Sequence, residues 1–209
     1  MSRILCLNGT RNAGKSIARD CLIDSMPQTT RAISFKDKLH ELTMTLFNLD
    51  SNTYFSIYNN RALKEVPQEC FRVAHRAYDD CVATSLFEDY DYIKNVRKYN
   101  KTDNTLCFSI REAMIYCSEN IYKPMLGSDI FGKIVAEKLV GLKTYVEDST
   151  AFVEELRPVI KKLGQENILL IRIHGRGDFS GDSRSYIPNG VVDNTVDIWN
   201  TGTRQEFLQ

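Results

Sequence analysis

The chain has 209 residues, 43% hydrophobic and 26% charged, a composition that fits an ordinary globular protein of single-core size. Its 27 basic and 27 acidic residues cancel, which excludes the global positive field behind non-specific nucleic-acid or membrane binding. Any anionic ligand must therefore be held by a local site. No apolar run reaches the roughly 20 residues needed to span a bilayer, and the opening stretch is too short for a secretory signal, so a cytoplasmic protein is expected.

In chain order, residues 3–8 form a short apolar run cut off by Gly9, the pattern of a strand buried on both faces of a parallel sheet. Residues 17–25 then show helical spacing and stop at Pro27. A second strand is expected at 32–35 and an amphipathic helix through Leu39, Leu42, Met44, Leu46 and Phe47. From 48 to 104 the chain turns polar and aromatic, which reads as a helical insertion with long loops. Helices are expected at 110–122 and 130–142, the latter closed by Gly141. A strand at 144–147, a helix at 152–163 stopped by Gly164 and a strand at 168–173 then make a βαβ unit. Residues 174–186 (HGRGDFSGDSRSY) offer little to bury and read as a mobile surface segment, followed by a last strand within 191–199 and a short helix from Thr203.

Six scattered cysteines contain no CxxC pair, and His40, His75 and His174 are as dispersed. Reduced thiols are expected, and no metal site built from protein side chains. A metal can still arrive with a ligand.

Gly9, Thr10, Arg11, Asn12, Ala13, Gly14, Lys15 and Ser16 satisfy G-x-x-x-x-G-K-[ST] in full, between a predicted strand and a predicted helix. Such a loop points consecutive N–H groups at one place, and the helix that follows adds the positive end of its dipole. Lys15 is expected to reach the outer phosphates and Ser16 to ligand Mg2+, so ATP with Mg2+ is the expected cofactor pair. The bland alternative is a glycine turn with a solvent-facing lysine.

Phosphoryl transfer needs cations away from the loop as well, and the candidates are Arg11, Arg61, Lys64, Arg111, Arg172, Arg176 and Arg184. Arg172 closes an apolar strand and opens the Gly/Arg/Ser-rich segment, the arrangement of a lid over phosphates. Arg176 and Arg184, taken singly, read as well as solvated surface charges. Asp148, at the carboxyl end of a parallel strand, faces the ligand crevice or caps the next helix; Asp37 carries the same ambiguity after the second strand.

Several segments together resemble the bacteriophage deoxynucleoside monophosphate kinases, a P-loop family related in fold to adenylate kinase. They are LNGTRNAGKS, ISFKDKLHEL with Phe35, Asp37 and Leu39, NRALKEVP with Lys64 before the proline, and SIREAMIYCSENI with Arg111. DIFGKIVAEKL, YVEDST, the run ELRPVIKKLGQENILLIRI and DNTVDIWNTGT, with Asp148, Gly164, Arg172, Asn200 and Gly202, continue the likeness. Thr150 stands where an arginine is usual, His40 where a lysine is usual and Phe131 where a tryptophan is usual.

The resemblance implies an α/β fold: a parallel five-stranded sheet flanked by helices, as in P-loop nucleoside monophosphate kinases, in one domain with a helical acceptor-binding insertion (about 48–108) and a short lid (about 174–187). It implies Lys15, Arg172, Arg111 and Asp148 as catalytic residues. Arg176, Asn200 and Gly202 join the loop in binding ATP; Phe35, Asp37, Arg61, Lys64 and Arg111 bind the acceptor. The implied activity is transfer of the γ-phosphoryl of ATP to a deoxynucleoside monophosphate in the cytoplasm, the host's if the chain is phage-encoded. No stable nucleic-acid or membrane partner is expected, and a homodimer stays open. Two alternatives stand beside it: a kinase acting on a hydroxymethylated base in DNA, disfavoured by the zero net charge, and a nucleotide-binding protein with impaired catalysis. Tyr54, Phe55, Tyr58, Tyr78, Tyr90 and Tyr92 offer a base-stacking wall or, more blandly, helix packing.

Overall fold

A computed structural model describes residues 2–74, 105–180 and 184–207. Cys81, His75, Tyr78, Tyr90 and Tyr92 lie outside the described residues, as do residues 181–183 of the expected lid. The chain divides into two compact units, Met1–Asp37 with Ser128–Gln209, and Lys38–Gly127.

The first unit is α/β. Strands β1 (Arg3–Gly9), β2 (Thr30–Ile33), β5 (Thr144–Thr150), β6 (Ile168–His174) and β7 (Thr195–Trp199) form one all-parallel sheet in the order β2-β5-β1-β6-β7. β1 is central, and the chain leaves it for the β2 edge before returning to its other neighbours. Such a reversal of direction opens a crevice at the carboxyl ends of the strands. Ile4, Leu7, Val146, Leu156, Val159, Leu170 and Ile173 are wholly buried. The strand residues among them come from near-continuous apolar runs, because a parallel sheet covered on both faces leaves no strand face for polar side chains, while Leu156 and Val159 are the inward face of a helix.

Helix α1 (Lys15–Ser25) follows β1 and packs against β1, β2 and β5. α6 (Ile130–Lys138) and α7 (Val153–Leu163) pack on each other so closely that a Cβ on Gly132 would stand 2.1 Å from the Glu155 carbonyl oxygen. A short helix, α8 (Arg204–Phe207), ends the described chain.

The second unit holds α2 (Asp37–Leu46, whose first residue belongs to the first unit), α3 (Ser51–Tyr58), an antiparallel pair β3 (Arg72–Ala74) and β4 (Thr105–Cys107), α4 (Ile110–Ile115) and α5 (Lys123–Leu126). Between α4 and α5 the chain runs as a π-helix, Tyr116–Tyr122. Its core is aromatic: Tyr54, Ile57, Phe71, Phe108, Ile110 and Ala113 are buried together, with Phe47 and Met44 against them. Ser109 and Glu112 close a capping box on α4, each side chain taking the other's backbone N–H. Tyr54 and Phe55 therefore belong at least partly to packing, the bland side of the base-stacking alternative.

Several boundaries move. The second strand lies two residues earlier than expected, leaving Phe35 in the turn before α2. β5 runs three residues past Glu147, so Asp148, Ser149 and Thr150 are strand residues, and α7 opens at Phe152 with no side-chain cap. The capping alternative for Asp148 is thereby removed. The helix expected to reach 142 ends at Lys138, because Leu139 leaves helical geometry (ψ 85°) and Val140 and Leu142 face outward. Periodicity overran there because apolar residues continue beyond the last helical turn.

Among the described residues no helix is long and apolar enough to cross a membrane. The contact at Gly132 gives a direct check on the packing of α6: Gly132→Ala is expected to destabilise the protein by about 1–3 kcal/mol through overpacking against backbone, read as a lower denaturant midpoint at unchanged m-value. An unchanged midpoint would mean that α6 can lift from α7 without cost.

Candidate phosphate site at the end of the central strand

The end of β1 is held by a side chain that the sequence pattern does not single out. Asn8 is buried, donates from Nδ2 to the Thr150 carbonyl (2.9 Å) and the Ser185 carbonyl (3.2 Å), and accepts the Ile187 N–H at Oδ1 (2.9 Å). The next residue, Gly9, has no space for a side chain: a Cβ would stand 2.7 Å from the Ile173 carbonyl oxygen. The chain then turns through Asn12 (φ 65°) and Gly14 (φ 103°) into α1. Asparagine is among the few residues other than glycine that tolerate the left-handed region.

Lys15, the first residue of α1, folds back and donates to the carbonyls of Gly9 (2.7 Å) and Thr10 (2.6 Å). Its ammonium is thus placed over the loop by the loop's own backbone. Ser16 Oγ donates to Asp148 Oδ2 at 3.0 Å, joining the first turn of α1 to β5. Both are hard oxygen donors at the crevice, a set that suits Mg2+.

Asp148 reaches the crevice because β5 is irregular there. Cys6 pairs with Glu147 and Asn8 with Thr150, so β5 fits one more residue than β1 into that interval. A bulge of this kind re-aims side chains. The consequence is visible at Glu147, which is wholly buried and accepts Ser149 N–H (2.7 Å) and the hydroxyls of both Ser149 and Thr150. Strict alternation would send the last two to opposite faces. Phe35 N–H also points at Glu147 (3.4 Å), and Ser34 Oγ meets Ser149 Oγ at 2.9 Å. Burial pushes the Glu147 carboxyl up to about 7, against the pull of the Ser149 and Thr150 hydrogen bonds. Burial, and then the neighbouring Glu147 charge, drive the Cys6 thiol far above its ordinary value.

Asp37, expected at the acceptor or at a cap, takes the Ser34 N–H (3.1 Å), while Ser34 Oγ accepts from Lys36 N–H (3.1 Å). The pair braces the turn that carries Phe35, itself buried.

The expected lid buries none of its described residues 174–180 and 184–186, as expected, yet it is tied down at both ends. Thr10 Oγ1 donates to the Arg176 carbonyl. Gly177 (φ 66°) sits where a Cβ would approach the Arg11 carbonyl oxygen to 2.7 Å. At the other end Tyr186 donates to the Ile173 carbonyl (3.1 Å), and Ile187 is buried. His174 stacks between Tyr186 and Trp199 at ring distances of 4.3 and 5.0 Å. These anchors are hydrogen bonds and ring contacts, which leave no apolar periodicity in a sequence.

Two expected phosphate-facing arginines are engaged elsewhere. Arg172 pairs with Asp197 through Nε (2.9 Å) and Nη2 (2.6 Å) and donates to the Ile187 carbonyl (3.2 Å). Asp197 also meets His174 Nε2 at 2.5 Å, and the Arg172 and His174 contacts hold its carboxyl below the ordinary range. Arg176 donates to the carbonyls of Asn200 (3.2 Å) and Gly202, clasping the closing turn. Asn200 in turn donates to the Ala13 carbonyl (2.9 Å), so that turn is part of the loop's platform.

The first unit thus gathers the loop, Lys15, Ser16, Asp148, Arg172, Arg176, Asn200, Gly202, Phe35 and Asp37. Arg61, Lys64 and Arg111 belong to the second unit, where Arg111 Nη1 lies 3.4 Å from Glu65 Oε1 and Lys64 Nζ lies 3.6 Å above the Tyr58 ring centroid. Asn8, Arg19 and Glu147 are the residues that sequence reasoning missed. Asn8 immediately precedes the first motif glycine, and a polar residue ending an apolar strand was the available signal. No protein-family profile matches the chain, and no curated protein matches it.

The Glu147 environment fixes a sign. A carboxyl whose native value is raised is more protonated folded than unfolded, so its contribution to stability is present below about pH 4.5 and is lost as pH rises to about 7. Glu147→Gln is expected to gain stability on the wild type across that window in denaturation measured at successive pH values. Parallel curves for the two proteins would contradict a neutral, buried Glu147.

Proposed function

We propose that the protein is a P-loop kinase that transfers the γ-phosphoryl group of ATP to a deoxynucleoside monophosphate, as the bacteriophage kinases it resembles do. The observation that carries this reading is the Ser16–Asp148 hydrogen bond beside Lys15, at the carboxyl end of the central strand. A complete phosphate loop, a hydroxyl and a carboxylate meet there.

In this reading the N–H groups of the loop and the amino end of α1 hold the β- and γ-phosphates. Lys15 exchanges the Gly9 and Thr10 carbonyls for phosphate oxygens, moving its charge to where negative charge grows during transfer. Ser16 and Asp148 are the residues that would hold Mg2+, which supplies charge neutralisation across the two outer phosphates. Arg176 and Asn200 support the loop by fixing the closing turn against it. Arg172 serves the phosphates only by giving up Asp197, so its part in the reaction is an exchange of one anion for another. On the strength of the resemblance, Phe35, Asp37, Arg61, Lys64 and Arg111 are assigned to the acceptor.

The test is incubation with ATP, Mg2+ and each deoxynucleoside monophosphate, with the products separated. Formation of a diphosphate is expected, and Lys15→Ala is expected to lower turnover by roughly 10²-fold or more while leaving the fold intact, in line with the loss of one charge-stabilising donor. Wild-type turnover in that variant would refute the assignment of the loop. Tight ATP binding without transfer to any monophosphate would move the protein to the nucleotide-binding alternative.

A further inference from the structure

Arg19 lies one helical turn beyond Ser16 on α1, so both side chains leave the helix on the same side. Its Nη1 donates to Asp148 Oδ2 at 2.7 Å, the same oxygen that accepts Ser16 Oγ. Nε and Nη2 both reach Asp20 Oδ1, at 2.9 and 2.7 Å. The Asp148 side chain is 12% exposed and that of Arg19 29%, so the pair is partly withdrawn from water. Burial works against the guanidinium charge, but the Asp20 hydrogen bond and the Asp148 charge outweigh it and hold Arg19 above its ordinary value.

We infer that Arg19 is a resident cation on the metal-binding carboxylate, a positioning residue that holds Asp148 ready and that a divalent ion must displace. This rests on the phosphate-loop reading. One carboxylate oxygen with two donors has both lone-pair directions filled. A divalent ion placed on that oxygen, or on a water bound to it, would stand a few ångströms from a guanidinium, and like charges at that separation in a partly dry crevice repel strongly. Arg19 and the metal are therefore competitors, and by linkage each weakens the other by the same factor. The structure provides for the displaced arginine, since Asp20 already holds two of its nitrogens. Without metal, the arrangement satisfies Asp148 and avoids a buried unpaired carboxylate. With metal, it makes affinity depend on the phosphates that arrive at the same time.

The experiment measures Mn2+ binding by EPR on the full chain saturated with a non-hydrolysable ATP analogue, in wild type, Arg19→Gln and Arg19→Lys. Nucleotide affinity is measured separately in EDTA, and folding is checked by circular dichroism. Arg19→Gln is expected to tighten Mn2+ by roughly tenfold, the factor set by removing one competing charge from a partly buried pair. Arg19→Lys, which keeps the charge but loses the planar fork, is expected to fall between the two. It carries the test should the glutamine variant fail to fold. Nucleotide affinity without metal is expected to be equal in all three. Unchanged or weaker Mn2+ binding in the folded variants, with nucleotide binding intact, would overturn the inference and leave Arg19 a structural brace. If the wild type binds no nucleotide in EDTA, the phosphate-loop reading falls and the inference falls with it.

Discussion

The end of β1 has no room for a side chain, and the arrangement of the first unit follows from that. β1 lies between β5 and β6, and at Gly9 the β6 backbone stands where a Cβ would be. The chain must leave the sheet there as bare backbone. Once it does, only a tight curl through left-handed positions at Asn12 and Gly14 leads into α1. Asn8 makes the exit rigid, because its buried amide bonds both to β5 and to the segment that returns before β7. Three of the four hydrogen bonds this buried amide can make are made, which makes it cheap to bury.

Around this loop the charges are stored in pairs. Arg19 rests on Asp148 and Asp20, Arg172 on Asp197, and Lys15 on two loop carbonyls. Cations left unpaired in a narrow crevice would repel one another and cost stability. Paired, they are cheap to keep. The cost appears as affinity: an arginine that gives up a carboxylate to meet a phosphate gains only the difference between the two.

Legibility from sequence divides along a physical line. The glycine-containing turn after β1, the five strands and the helices of the first unit were readable, because a parallel sheet imposes apolar runs and a turn with no room for a Cβ imposes glycine. What was not readable lay in side-chain hydrogen bonds across the sheet. The pairing of Arg172 with Asp197 joins residues 25 apart in sequence, and nothing local in either strand marks it. Glu147 reads as the polar end of a short strand, whereas it is the buried centre of four hydrogen bonds. The one-residue irregularity of β5 is the cause: without it Asp148 would not share an oxygen with Ser16, and no periodicity in YVEDST announces it.

The position of Thr150 shows what a threonine does where the kinases the chain resembles carry an arginine. An arginine there would project a long cationic chain from the last residue of β5. The threonine instead turns its hydroxyl inward onto Glu147 and is 2% exposed. One candidate cation is thereby traded for a satisfied buried carboxyl. The neighbouring crevice still contains a guanidinium, but it arrives from α1 through Arg19 and lands on Asp148. The strand position and the helix position differ in one respect: a guanidinium on α1 belongs to the same helix as Lys15 and Ser16, so Arg19 and Ser16 reach the same Asp148 oxygen from one helix face, whereas a strand arginine would have to be aimed by β5 alone.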